Sequence, residues 1–344
     1  MKKNNYIIKF LIVLIFSVLF FMCTPAGDGS GSGGSGDKTT GFQNIWTYLN
    51  SSIPVTMPNA RHNHSMVYIG NNEIILFGGY TGNVNGEIWK YNVTSNKWLN
   101  INPILPIPSA RDDHAMVYIG NNKIILFGGS DTIGLNNETW EYNVTTNIWT
   151  NLNPAVKPSA RDRHSMVYVG NNKIILFGGS DGSFTNDTWE YNIILNTWTN
   201  LNPSAPIPTS RADHCMVYIG NNKIILFGGD YGVPSFETWE YNITSNTWTD
   251  LTQLPALLPR VCNHSMVYTG DSEIILYGGY DVFSTVTDET WKYNITANTW
   301  TELNLSLKPS ARHSHSMVYV GNKKIILFGG YDGSNNTNEV WEYK

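Results

Sequence analysis

The chain has 344 residues, a net charge of −5 and only 14% charged residues, against 13% aromatics with 12 Trp and 19 Tyr. That mixture excludes a disordered chain, which lacks aromatics, and a coiled coil, which needs Glu, Lys and Leu. The 31 Gly and 15 Pro argue against a mostly helical protein, and the negative balance argues against nucleic acid as a partner, because phosphates require basic surface.

Residues 1–9 carry three Lys and no acid, and residues 10–22 form an apolar run broken only by Ser17 and ending at Cys23. A basic start followed by an apolar run of this length reads as a secretory signal, too short to span a bilayer comfortably. Cys23 directly after it resembles the cleavage and lipidation site of bacterial lipoproteins. Met22 departs from the small residue that pattern has before the Cys. Residues 27–36 are almost entirely Gly and Ser, a flexible tether of the kind a lipid-anchored domain needs. The expected organisation is a signal peptide over 1–22, a tether carrying the lipidated Cys23 over 23–43, and a folded domain over 44–344. The localisation implied is an exported protein anchored in a bacterial cell envelope. Loss of residues 1–22 removes three Lys and takes the charge from −5 to −8. Cys215 and Cys262 alone remain in the folded part, which is no disulfide framework.

The rest of the chain is one unit repeated six times. The motif His-Ser-Met-Val-Tyr begins at His64 and returns at His114, His164, His214, His264 and His315, at intervals of 50, 50, 50, 50 and 51 residues. Each copy runs on to Ile-Ile-Leu-Phe/Tyr-Gly-Gly, then to an acid and Trp-x-Tyr, and in five copies to a second Trp nine residues later. Four short runs per unit, over 65–69, 73–77, 87–91 and 97–101 in the first, are rich in Val, Ile, Tyr, Trp and Thr and predict strands. Gly-Asn-Asn between the first two predicts a tight hairpin. Four antiparallel strands per 50 residues predict a propeller blade, and six copies predict an all-β, six-bladed β-propeller.

The order Arg-x-x-His, Ile-Leu-Phe-Gly-Gly, Trp-x-Tyr-Asn and Trp resembles the kelch repeat, over residues 44 to 344. The sixth unit stops at Lys344, after its third strand. Residues 44–50 (Asn-Ile-Trp-Thr-Tyr-Leu-Asn) match the fourth-strand segment 147–153, so they are expected to complete the last blade and close the ring. The resemblance implies the same closure.

Loop lengths assign the variable face. The spacing from motif His to Gly-Gly is 14 residues in every copy, and from first to second Trp nine in five copies. From Gly-Gly to the first Trp the spacing runs from 10 to 12, and from the second Trp to the next motif His from 15 to 18. Second-to-third and fourth-to-first connections lie on one rim of an up-and-down blade, so all length variation falls there.

All seven Arg, namely Arg61, Arg111, Arg161, Arg163, Arg211, Arg260 and Arg312, and all eight His lie in the segments just before a first strand. Arg61, Arg111, Arg161, Arg211, Arg260 and Arg312 are therefore the candidate ligand-binding rim. A guanidinium ring on an acidic protein would be a positive focus suited to an anionic group. The alternative is pairing inside the fold with neighbouring acids such as Asp112, Asp113, Asp162 and Asp213. In some eukaryotic kelch adaptors this slot helps form a pocket for acidic peptides, which implies the ligand role for Arg61, Arg111, Arg161, Arg211 and Arg312. In the fifth unit Arg260 stands one residue early and Val261 fills the slot. The six motif His, spread around a circle, are expected to cap strand starts by hydrogen bonding rather than to hold metal. No cofactor is expected.

Near-identical repeats supply the same residue six times, whereas catalysis needs different residues in distinct roles. The expected function is a non-catalytic, monomeric binding module for a protein, peptide or glycan, with the membrane reached through the lipid anchor. The alternatives are a periplasmic sialic acid mutarotase, which the resemblance admits, and a structural envelope protein.

Overall fold

The computed structural model describes residues 44–50, 56–253 and 258–344. The signal segment, Cys23 and the tether lie outside the described residues. The body is six four-stranded antiparallel sheets. In blade 1 the strands are Ser65–Gly70, Glu73–Phe77, Ile88–Asn92 and Lys97–Ile101. The first strands of blades 2 to 6 are Ala115–Tyr118, Ser165–Tyr168, Cys215–Gly220, Ser265–Tyr268 and Ser316–Gly321. Each first strand touches the first strands of the two neighbouring blades in a closed cycle, which places it innermost.

Residues 44–50 do close the ring. Trp46–Tyr48 pairs antiparallel with Val340–Tyr343 in the register Trp46 to Tyr343, the same register as Trp98 to Tyr91 within blade 1. Trp46 is fully buried, packs on Tyr277 and Tyr343 at 5.1 Å, and donates through Nε1 to Thr290 Oγ1 of blade 5 at 3.2 Å.

That indole contact is the rule between blades. Trp198, Trp248 and Trp300 donate to Thr139, Thr188 and Thr238, each at the start of the preceding blade's third strand. The equivalent positions facing Trp149 and Trp98 are Ile88 and Val340, and these two indoles are the ones buried without a partner. The wedge between blades is otherwise mainly apolar, with buried Ile and Leu from each second strand and a Phe after them in every blade but the fifth, where Tyr277 takes its place.

Tight turns follow from the repeated Asn and Gly. Asn71 and Asn72 take φ of 52° and 60°, the left-handed pair a two-residue hairpin needs. At the other end of the second strand, Gly78 has φ 72°, and a Cβ there would stand 2.5 Å from Arg111 O and 2.7 Å from His114 Cε1 of the next blade. The glycine pair lets neighbouring blades meet, and Gly79 N–H donates to Arg111 O at 2.9 Å.

Trp46→Ala should cost about 3–5 kcal/mol of stability in urea unfolding, the usual cost of emptying a buried indole site. A loss below about 1 kcal/mol would show that the N-terminal strand does not hold the ring closed.

Candidate functional site

The segments that precede the first strands meet around the channel mouth, on the rim with variable loops. Two closed cycles of backbone hydrogen bonds hold them. In one, each Gly-Gly donates to the arginine-slot carbonyl of the next blade, ending with Gly330 N to Arg61 O. In the other, Asn63, Asp113, Arg163, Asp213, Asn263 and Ser314 each donate to the carbonyl of the preceding member at 2.8–3.0 Å. All six have φ between 53° and 58°. Asn and Asp tolerate this left-handed conformation; Arg163 and Ser314 hold it against their intrinsic preference.

The arginines of the candidate rim are placed differently from the expected ligand ring. Arg61, Arg111, Arg161, Arg211 and Arg312 are 0–1% exposed. Each Nη1 donates to the first glycine carbonyl of its own blade at 2.9–3.0 Å, and each Nε to a carbonyl two residues back. The charge is met by an acid at the start of the third strand. Arg61 reaches Glu87 at 2.7 Å, Arg111 reaches Glu138 at 2.5 Å, and Arg161 makes two bonds to Asp187 at 2.6 and 2.8 Å. Arg211 and Arg312 pair with Glu237 and Glu339 in the same way. The same carboxylates accept from the indole Nε1 of the third-strand Trp, as Glu87 does from Trp89 at 3.0 Å. Burial acts to raise the Glu87 and Glu138 carboxyls, but the indole and guanidinium bonds outweigh it and hold both below their ordinary range.

These five guanidinium groups are thus consumed inside the blades, and a positive focus from them does not form. Blade 5 shows the exception. Val261 fills the slot, with its carbonyl accepting from Gly229 as an arginine's would, and Glu289 keeps the Trp291 bond with no arginine opposite. Arg260 is exposed and lies over the Phe236 ring at 4.3 Å.

The motif histidines do not cap the strands. His64, His114, His164, His214, His264 and His315 are 5–7% exposed, and both nitrogens of each ring lack a well-formed hydrogen bond. Their edges pack on the Phe or Tyr that ends the preceding blade's second strand, at 5.4–5.7 Å. Burial, then Arg111, lowers the His114 pKa to about 3, and burial alone does the same for His264, so these rings are neutral at physiological pH.

The six histidines and the six-residue backbone cycle line a cavity of about 160 Å³ at the channel mouth. Deeper in, six copies each of Met, Val and Tyr line a larger chamber of about 370 Å³. The deeper chamber is nearly symmetric. The mouth is not.

Asymmetry enters at three positions per blade. The backbone cycle is charged in blades 2, 3 and 4 (Asp113, Arg163, Asp213) and neutral in blades 5, 6 and 1 (Asn263, Ser314, Asn63). Just outside it, a residue before the cycle bridges the residue after Gly-Gly. In blades 2, 3 and 4 these pairs are Asp112 with Ser130, Asp162 with Ser180, and Ala212 with Asp230. In blades 5, 6 and 1 they are Cys262 with Tyr280, His313 with Tyr331, and His62 with Tyr80. The rings in that half run as one arc, Tyr280–His313–Tyr331–His62–Tyr80, with successive centroids 5.4–5.7 Å apart. One half of the mouth is aromatic and the other acidic.

The acidic half is under-compensated. Arg163 Nε meets Asp162 Oδ1 at 3.1 Å, and its Nη1 stands 3.6 Å from Asp213 Oδ2. Asp113 accepts from Asn63 Nδ2 at 2.9 Å. Burial first, then Asp213, Asp112 and Asp162, pushes the Asp113 carboxyl well up, and burial lifts Asp213 to about 7 despite Arg163.

Sequence reasoning located this rim but not its division. The signal was present in the register of the repeats. The residue two before each motif His reads His, Asp, Asp, Ala, Cys, His, and the residue after Gly-Gly reads Tyr, Ser, Ser, Asp, Tyr, Tyr. Among the described residues no group of three or more His, Cys, Asp or Glu is arranged to hold a metal ion.

Arg111→Met should lower stability by about 3 kcal/mol, because it strands Glu138 and the Gly128 carbonyl. Arg260→Met should cost under about 1 kcal/mol. Urea unfolding of both variants distinguishes them; equal small losses would free Arg111 from a structural role.

A family model described as the KLHDC2/KLHL20/DRC7 Kelch-repeats domain matches residues 39–229 and 221–344. No curated protein matches the chain. With six blades of the repeat and a match over most of its length, the chain belongs to the kelch-repeat family.

Proposed function

We propose that this kelch propeller is an exported, lipid-anchored binding module that captures a protein partner through the rim of variable loops. A kelch propeller is a protein-interaction fold, and the observation that carries the reading to this rim is its exposed apolar side chains. Ile133 is 95% exposed and Phe283 83%, and Val233 stands exposed on a third second-to-third connection of the same rim, while Leu105, 76% exposed, and Ile104, Val156 and Leu307 lie on fourth-to-first connections. Polar loop tips cost nothing in water, so apolar tips on several blades of one face mark a surface meant to be covered. On the opposite rim the exposed apolar tips are Ile194 and Leu195, both in the blade 3 hairpin. The loops that differ in length and sequence are the loops that carry the apolar tips, while the hairpins of the other rim are held alike by Tyr–Asn bonds such as Tyr91 Oη to Asn96 Oδ1 at 2.7 Å.

The anchor half of the proposal rests on the sequence at residues 1–36, with Cys23 as the lipidated residue and the Gly/Ser run as the spacer.

Two experiments test the two halves. Affinity capture from the envelope of the expressing cell should recover a partner with the unaltered chain, lose it with Ile133→Asp plus Phe283→Asp, and keep it with Leu195→Asp. The reverse pattern would move the binding face to the other rim. Cys23→Ser should shift the protein from the membrane to the soluble fraction; full membrane retention would contradict lipid anchoring.

A further inference from the structure

We propose that the rim of uniform hairpins, opposite the variable loops, lies against the membrane that carries the anchor, with Ile194 and Leu195 set into the headgroup layer and the rim lysines facing anionic lipid. The inference rests on the lipid-anchor reading, and it leaves the variable rim turned outward for its partner.

The first argument is where the tether joins the propeller. Asn44 takes the place that Asn96 holds in the third-to-fourth hairpin of blade 1. Its φ is 55° against 53°, and its Oδ1 accepts from Tyr343 Oη at 2.6 Å, as Asn96 Oδ1 accepts from Tyr91 Oη at 2.7 Å. Beside it, Ile45 and Lys344 exchange backbone hydrogen bonds at 3.1 Å. The chain therefore enters the domain on the hairpin rim, at blade 6. A Gly/Ser tether alone leaves a domain free to turn, so the face presented to lipid is decided by the rim surfaces themselves.

The second argument is a departure from the repeat on that rim. The tips of the third-to-fourth hairpins are Thr94-Ser95, Thr145-Thr146, Thr244-Ser245 and Thr296-Ala297 in blades 1, 2, 4 and 5, but Ile194-Leu195 in blade 3. These two side chains are 74% and 68% exposed. The turn beneath them is the common one: Leu195 N–H donates to Asn192 Oδ1 at 3.0 Å, as Ser95 N–H donates to Asn92 Oδ1 at 2.9 Å. Nothing in the turn requires aliphatic groups there, whereas a boundary between water and lipid rewards them. In the closed cycle of six blades, blade 3 stands opposite blade 6, so the tether and the apolar tip hold the rim from two sides.

Charge is the third argument. The two hairpins of each blade, with the strand residues paired beside them, carry nine Lys against seven acids, and each of those acids meets a Lys, as Glu141 meets Lys123 at 3.0 Å. Lys324 and Lys344 share Glu342, and Lys97 is exposed beside the blade 1 hairpin. The other described residues carry seven Arg and two Lys against eighteen acids. An anionic lipid surface attracts the first face and repels the second.

The test uses the full chain, purified from the expressing cell in non-ionic detergent and reconstituted into vesicles of phosphatidylethanolamine and phosphatidylglycerol. A fluorophore is placed on Leu195→Cys, Ser245→Cys or Ile133→Cys, and a headgroup spin-labelled lipid is the quencher; the chain without an introduced cysteine gives the background from Cys215 and Cys262. Quenching at Leu195→Cys should exceed that at Ile133→Cys severalfold, and should weaken when phosphatidylcholine replaces phosphatidylglycerol. The label on Ser245→Cys, in the next blade's hairpin, should also be quenched. Ile194→Thr plus Leu195→Ser, which restore residues of the other hairpins, should cut that quenching by about half with the urea midpoint unchanged, which separates a lipid contact from a folding defect. Equal quenching on the two rims, or quenching at Ser245→Cys unmoved by the double substitution, would overturn the proposal. A response at Leu195→Cys only on addition of envelope proteins, with none in protein-free vesicles, would make the hairpin a protein contact and overturn it too. If Cys23→Ser releases the chain while labels on both rims quench alike, the anchor stands and the docking face falls. If Cys23→Ser leaves the chain on the vesicles with Leu195→Cys still preferentially quenched, the docking face stands and the anchor falls.

Discussion

The fold turns on one buried interaction repeated in five blades: a guanidinium enclosed between a glycine carbonyl and a carboxylate that also takes an indole N–H. Removing a guanidinium from water is costly, and the cost is met only when its donors are filled and its charge is paired. Here the partner acid is partly exposed, so the pair is buried at one end and wet at the other, which eases the desolvation. The result ties the connection entering each blade to the start of the third strand of the same blade. Backbone bonds from Gly-Gly then tie it to the preceding blade. Loops beyond this point can differ in length and sequence because the frame beneath them is already fixed.

That interaction also explains why the charge reading from residues alone went astray. Arg, Asp and Asp stand side by side in Arg111-Asp112-Asp113, and local pairing was the obvious alternative to ligand contact. The structure chooses neither. The arginine turns inward to an acid 26 or 27 residues away, and the neighbouring aspartates stay at the mouth. Separation along the chain hid the true partner, although Glu87, Glu138, Asp187, Glu237 and Glu339 all occupy one position, two residues before the third-strand Trp. The net effect is a reversal of sign: a mouth expected to be basic is acidic.

Architecture was legible for a simple reason. Six copies at a fixed interval, each with four runs of β-forming residues, leave little freedom, and the missing fourth strand of the last copy is visibly present at residues 44–50. The indole donors without partners were legible too, in principle, from Ile88 and Val340 standing where other copies have Thr. The histidines were not. A His at a strand start reads as a cap, and only the packing shows that the ring is a spacer between blades, pressed on the preceding Phe or Tyr. The proposed function names a face rather than a ligand, because repetition fixes the frame and only departures from it carry information. Blades 2, 3 and 4 depart toward acid and blades 5, 6 and 1 toward aromatic side chains.

On the proposed function, one rim is the working surface and the other a structural one. Hydrogen–deuterium exchange of the full chain with and without its captured partner tests this most directly. The account predicts new protection in the second-to-third and fourth-to-first connections, including those that carry Tyr80, Ile133 and Phe283, with the hairpins at Asn71–Asn72 and their equivalents unchanged. Protection confined to those hairpins would contradict it.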